Sequence, residues 1–231
     1  MTLTDRPRSG IRSKDSSIKK QGAISCLVYR YAAFLMKFIF RINGGLVVKG
    51  REKIPAEGGV IIASNHLSYL DPPLLGAVAP RRATFMARKG LFSIPLLGWF
   101  ISYYAFSVDR EKTMPSTIKN SVKRLKNGEL LIIFPEGRRS ETGKLLEARR
   151  GIGIIEQMSK AAVVPALITG TDKALPFGAR WLKRARVTVT FDNPIFPSAI
   201  YSEGKQSYEE ITQKIMGAIR ELKKHHGNTD M

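Results

Sequence analysis

His66 is followed five positions later by Asp71, in the run Asn65-His66-Leu67-Ser68-Tyr69-Leu70-Asp71. The other two histidines of the chain are the C-terminal pair His225-His226, expected on a frayed, solvated tail. An imidazole and a carboxylate at this spacing are suited to proton transfer. Free imidazole titrates near pH ~6.5 and can take a proton on one ring nitrogen. A carboxylate on the other nitrogen orients the ring and favours the imidazolium that forms. Two elements must hold the pair. Gly59-Val60-Ile61-Ile62-Ala63 is apolar and β-branched, which predicts a buried strand. Asp71-Pro72-Pro73 predicts a helix start, with Asp71 at the N-cap and Pro72 at the first helical position. His66 then sits on a strand-to-helix loop, where α/β proteins place chemistry. The same seven residues would also fit a solvated loop histidine with Asp71 acting only as a cap.

A second stretch has the same form. Leu130-Leu131-Ile132-Ile133-Phe134 predicts another buried strand, and Pro135-Glu136-Gly137-Arg138-Arg139-Ser140 is a turn with a carboxylate and two arginines at its tip. Taken together, the two stretches resemble the glycerolipid acyltransferases, specifically the 1-acylglycerol-3-phosphate acyltransferases. Their signatures read Asn-His-x4-Asp and Phe-Pro-Glu-Gly-Thr-Arg-Ser. The resemblance runs from about Gly45 to Pro176, with order and spacing in agreement. Ala105-Phe106-Ser107-Val108-Asp109-Arg110 matches a further family motif, and Ala162 to Ile168, apolar around Pro165, matches a fourth.

The resemblance implies an O-acyltransferase that moves a fatty acyl group from acyl-CoA or acyl-ACP to the free hydroxyl of lysophosphatidic acid, giving phosphatidic acid. It implies His66 as general base, oriented by Asp71, with no covalent acyl-enzyme, no metal and no cofactor beyond the thioester co-substrate. On the substrate side it implies Asn65, Glu136, Gly137 and Arg139, the last as the phosphate-binding arginine, because a phosphate monoester suits a guanidinium fork. Arg110 is a second candidate for the phosphate, and Arg88 or Lys89 a third. Two positions depart from the family pattern. Tyr104 stands where a glycine is common, and Arg138 replaces the usual threonine and adds a cation beside the head group. Glycerol-3-phosphate, lysophospholipids and acylated amino acids are all acceptors for relatives, so the head group stays open. No Gly-x-Ser-x-Gly elbow is present, and Cys26 and Ser68 are not expected to act as nucleophiles.

Length and charge bound the rest. A chain of 231 residues is enough for one domain with a sizeable core. The formal net charge of +19, from 38 basic and 19 acidic residues, points to an anionic partner. Residues 1–42 hold 9 basic and 2 acidic residues (+7), and the remainder 29 and 17 (+12). Charge spread in this way, without a nucleic-acid motif, favours an anionic membrane surface over nucleic acid. A non-catalytic basic protein bound to membrane or nucleic acid is the rival reading. A lone cysteine forbids an internal disulfide. No metal cluster, Walker motif or dinucleotide fingerprint is present.

Read in order, the chain predicts a flexible basic arm over 1–20, an amphipathic helix over 21–42 and an acyltransferase domain over 43–231. Lys19, Arg30, Lys37 and Arg41 are spaced by 11, 7 and 4, so they share a narrow helical stripe. Leu27, Tyr31, Phe34, Leu35, Phe38 and Ile39 fill much of the rest. That pattern predicts a helix lying in a bilayer interface, and one whose removal leaves the domain folded; the alternative is a helix packed on the domain with its basic face to water. The expected location is the cytoplasmic face of the membrane, peripheral or monotopic. Arg30 and Lys37 argue against a spanning helix. The uncharged run from Leu91 to Val108 is too broken by Pro95 and Gly98 for a span and suits a core or an acyl-chain wall. Further strands are expected at 46–50, 84–87 and 186–191, and helices at 116–127, 148–160 and from Ser207 onward, where Ser207-Tyr208-Glu209-Glu210 reads as a capping box. Pro165 predicts an edge position or a bulge for the strand at 162–168. The sum is an α/β fold with a mixed, mostly parallel sheet flanked by helices.

Overall fold

The computed structural model describes residues 12–88, 90, 93, 105–108, 114–202 and 204–227. Among these, seven strands form one sheet: β1 (Leu46–Lys49), β2 (Val60–Ser64), β3 (Ala83–Arg88), β4 (Ala105–Val108), β5 (Leu130–Ile133), β6 (Ala162–Thr169) and β7 (Val187–Phe191). They lie in the order β1-β7-β6-β2-β5-β3-β4. All neighbours are parallel except β6 and β7. The fold is the expected α/β type with a mostly parallel sheet.

Strand β2 lies between β5 and β6, and all five of its residues are buried. Val60 and Ile62 point into one core, Ile61 and Ala63 into the other. A run of apolar residues without alternation is what a strand covered on both faces requires. Helices α1 (Arg12–Ile42) and α2 (Asp71–Val78) cover the first core. Helices α3 (Met114–Lys126), α4 (Gly151–Ser159) and α5 (Tyr208–Gly227) cover the second. The expected capping box opens α5: Ser207 N–H donates to Glu210 Oε2 at 2.7 Å, and Glu210 N–H to Ser207 Oγ at 3.2 Å. Helix α4 starts three residues later than expected, and Arg149 N–H, just before it, donates to Pro135 O at 2.9 Å.

Four expectations are corrected. Pro165 lies in an interior strand, not at an edge. Its missing N–H falls on the β7 side, at the bulge that was the other expectation: Pro165 faces Asp192, but the next bridge joins Val163 to Ile195, one residue out of register. The last β6–β7 pair is Ala166 with Phe191, and only Asp192 N–H reaches Pro165 O, at 2.9 Å. The basic arm over 1–20 is helical from Arg12. Between Gly10 and Gly22 there is no glycine or proline, and lysine, arginine and glutamine extend an existing helix readily. His226, expected on a solvated tail, is held in α5 with Nε2 3.3 Å from Thr169 Oγ1.

The fourth correction concerns α1. Tyr29, Ala32 and Phe40 belong to the core, so one face of the helix is packed into the domain. The Tyr29 hydroxyl donates to Gly76 O at 2.7 Å and accepts Ala83 N–H at 3.1 Å, tying α1 to α2 and β3. Tyr29→Phe leaves that buried N–H and carbonyl without this partner. We expect it to cost about 1–3 kcal/mol, read as a lower urea midpoint with an unchanged slope. The opposite side of α1 exposes Leu27, Tyr31, Phe34, Leu35, Phe38 and Ile42. Their spacing places them about half a turn from Tyr29, Met36 and Phe40, with Arg30, Lys37 and Arg41 between the two apolar faces. No helix among the described residues is long and apolar enough to cross a membrane.

Candidate active site

The carboxyl end of β2 presents the site. Beyond Ser64 the strand stops, but Asn65 supplies the next rung with its side chain: Nδ2 donates to Ile168 O at 2.9 Å and Oδ1 accepts Ile168 N–H at 2.8 Å. Asn65 is buried. The resemblance groups it with substrate-binding residues; here it bolts the loop to β6.

His66 follows, with its ring stacked on Phe134 at 4.1 Å between centroids. Nδ1 lies 2.9 Å from Asp71 Oδ2. The same oxygen accepts Leu67 N–H at 2.6 Å and Ser68 N–H at 2.7 Å. Because the carboxylate only accepts, Nδ1 carries the hydrogen and Nε2 keeps its lone pair. Among the described residues no protein group bonds Nε2, and the His66 side chain retains 16% exposure. Asp71 is fully buried and is the first residue of α2, with Leu70 at the N-cap and no side-chain cap bond there. The expectation of Asp71 as N-cap is thereby corrected. Its carboxylate reaches back to the amides of the loop, as the carboxylate of a capping box does. Ser68 is buried, and its hydroxyl donates to Leu175 O at 3.3 Å.

The second stretch meets the first through its turn. Gly137 N–H donates to Phe134 O at 3.0 Å, closing a turn that the chain leaves through a left-handed residue, with φ +69° at Gly137. Glu136 is buried, and its carboxylate bridges two loops: Oε1 accepts His66 N–H at 3.0 Å, and Oε2 accepts Leu146 N–H at 2.8 Å. Burial pushes the Glu136 carboxyl above its ordinary range, opposed by those two amides. Both carboxylate oxygens of Glu136 thus engage backbone amides of the loops around the site. Ser140 N–H donates to His66 O at 2.7 Å, which brings the arginine turn alongside the histidine.

Arg139 lies at the mouth. Its guanidinium carbon is 3.5 Å from the Tyr69 ring centroid and 4.7 Å from that of Phe177. Both rings are exposed. The guanidinium lies within cation–π distance of both rings, a contact that leaves N–H groups for a ligand. Arg138 is exposed beside it. Arg88 ends β3, but its side chain, Lys89 and Arg110 lie outside the described residues, as does most of the uncharged run from Leu91 to Val108. Phe134, Tyr69 and Phe177 were not singled out from the sequence. Phe134 and Tyr69 sit inside the two motifs and could have been flagged; Phe177 is far along the chain and gave no signal.

The profile of the acyltransferase family matches residues 45–169, the stretch that carries both the His66–Asp71 loop and the arginine turn. The chain belongs to that family. It is 33% identical over 198 residues to the 1-acyl-sn-glycerol-3-phosphate acyltransferase of Bacillus subtilis, spanning 84% of this chain and 96% of the relative. To the enzyme of the same name from Saccharomyces cerevisiae it is 31% identical over 212 residues, 89% of this chain and 69% of the relative. The crystal structure of the 1-acyl-sn-glycerophosphate (LPA) acyltransferase PlsC from Thermotoga maritima superposes with a TM-score of 0.72 at 28% identity, covering 87% of this chain and 81% of that one.

Proposed function

We propose that this acyltransferase transfers a fatty acyl group from acyl-CoA or acyl-ACP to the free hydroxyl of 1-acyl-sn-glycerol-3-phosphate, forming phosphatidic acid at a membrane surface. The observation that carries the reading is the imidazole of His66, fixed through Nδ1 by Asp71, on a loop that also places Tyr69 against Arg139. Nε2 takes the proton of the acceptor hydroxyl as its oxygen attacks the thioester carbonyl carbon. The tetrahedral intermediate collapses, the carbon–sulfur bond breaks, and the departing thiolate recovers the proton from the imidazolium. Arg139 binds the phosphate, held by its two aromatic neighbours at the reach the hydroxyl requires. The names of the relatives support lysophosphatidic acid as acceptor. The exposed apolar row of α1, flanked by Arg30, Lys37 and Arg41, supports a membrane surface.

The test is to mix purified protein with acyl-CoA or acyl-ACP and lysophosphatidic acid and follow release of free thiol. Thiol release that depends on the lipid acceptor is expected. Release that ignores the acceptor would make water the nucleophile and the protein a thioesterase. For Arg139→Ala we expect the KM for the phosphorylated acceptor to rise about tenfold to hundredfold, the size of a lost charge-assisted contact, with the KM for the thioester little changed. Equal effects on both would remove Arg139 from phosphate binding.

A further inference from the structure

We infer that the loop from Phe177 to Arg184 is a second lipid-contacting element, which seats Trp181 and Leu182 in the interface of an anionic bilayer beside Arg139. This rests on the membrane-surface reading above and adds to it a site of contact separate from α1. Trp181 is 83% exposed, Phe177 61% and Leu182 43%. Arg180, Lys183 and Arg184 are exposed around them. Three large apolar side chains within six residues, held out into solvent, call for a partner. Cations on both sides of the indole fit the polar layer of an anionic membrane, where tryptophan settles with its ring apolar and its N–H wet.

The loop does not owe this exposure to slack. Ala179 N–H donates to Pro176 O at 3.0 Å, and Lys183 N–H to Ala174 O at 2.8 Å. It is also clipped to the end of α1. Asn43 Nδ2 donates to Lys183 O at 2.8 Å, and Ala185 N–H to Asn43 O at 2.9 Å. Ile42, the last exposed apolar residue of α1, is the neighbour of that asparagine. The apolar row of α1 and the tryptophan loop are thus joined by bonds at their bases. Phe177, at the inner end of the loop, covers the guanidinium of Arg139. A lipid met by Trp181 is within the same short loop that frames the phosphate site.

The chain has two tryptophans, Trp99 and Trp181, so Trp99→Phe leaves Trp181 as the only indole reporter. The full-length variant is mixed with phosphatidylcholine–phosphatidylglycerol vesicles whose acyl chains carry bromine. The expected result is a blue shift of Trp181 emission and its quenching by the bromines. Trp181→Ser with Leu182→Ser is expected to weaken partition onto the same unbrominated vesicles about tenfold, with turnover of detergent-dispersed lysophosphatidic acid unchanged. Co-sedimentation with vesicles but an unmoved Trp181 spectrum overturns the loop proposal and leaves the α1 reading standing. Failure to co-sediment at all overturns both. A shift produced by single-stranded oligonucleotide and not by vesicles overturns it in favour of nucleic acid. If Trp99→Phe does not fold, Trp181→Phe in the unaltered chain replaces it, and persistence of the full bromine-quenched signal overturns the proposal.

Discussion

Turnover by a His66→Ala protein is expected to fall about 10²–10⁴-fold, the range of a lost general base, while the chain stays folded. The ring bonds one side chain, Asp71, and stacks on one ring, Phe134. Its removal takes no buried apolar contact from either core. The carboxylate of Asp71 keeps the amides of Leu67 and Ser68, so the loop retains its shape. The measurement is the thiol-release rate with lysophosphatidic acid, paired with a urea midpoint. A folded variant that turns over at a near-normal rate would remove proton abstraction by His66 from the mechanism.

Asp71→Asn is the second large effect, and it separates charge from geometry. The two loop amides and Nδ1–H all converge on Oδ2, whereas Oδ1 is buried with no hydrogen-bond partner. An asparagine is expected to keep its oxygen at the first place and its NH₂ at the second. The loop and the imidazole tautomer then survive, and what is lost is the negative charge that stabilises the imidazolium. We expect kcat to fall about 10²–10³-fold with KM for the acceptor unchanged. Asp71→Ala, by contrast, strands three donors at once and is expected to lower stability as well. Equal stability losses in the two variants, or an asparagine variant of full activity, would show that the carboxylate serves only to hold the loop.

The fold was legible where one residue pattern has one physical reading. The unbroken apolar runs of β2 and β5 require cover on both faces, and they have it. The Ser207–Glu210 box opens its helix as written. Pro165 allowed an edge or a bulge, because proline forbids one donor on one side without saying whether the neighbouring chain is absent or out of register there; the strand is interior and the bulge is the one realised. Helix α1 was harder to read. Its inward face uses Tyr29, Ala32 and Ala33, small and mixed residues that look no more buried than the phenylalanines left outside. At the site, the His66–Asp71 pair was legible because its spacing is local. The tasks of Asn65 and Glu136 were not, because their partners Ile168 and Leu146 lie in other segments. Nor was the aromatic clamp on Arg139, which Phe177 completes from a distant loop.

The bridge made by Glu136 has a consequence in time. One carboxylate holds the amide of His66 and the amide of Leu146. Any fluctuation that withdraws it frees both, so the catalytic loop and the segment after the arginine turn open as one unit. In deuterated water the two amide hydrogens are expected to exchange at matched rates although they lie on different segments. Glutamine at position 136 keeps one acceptor and replaces the other with a donor, so it would uncouple those rates and leave one loop breathing without its neighbour.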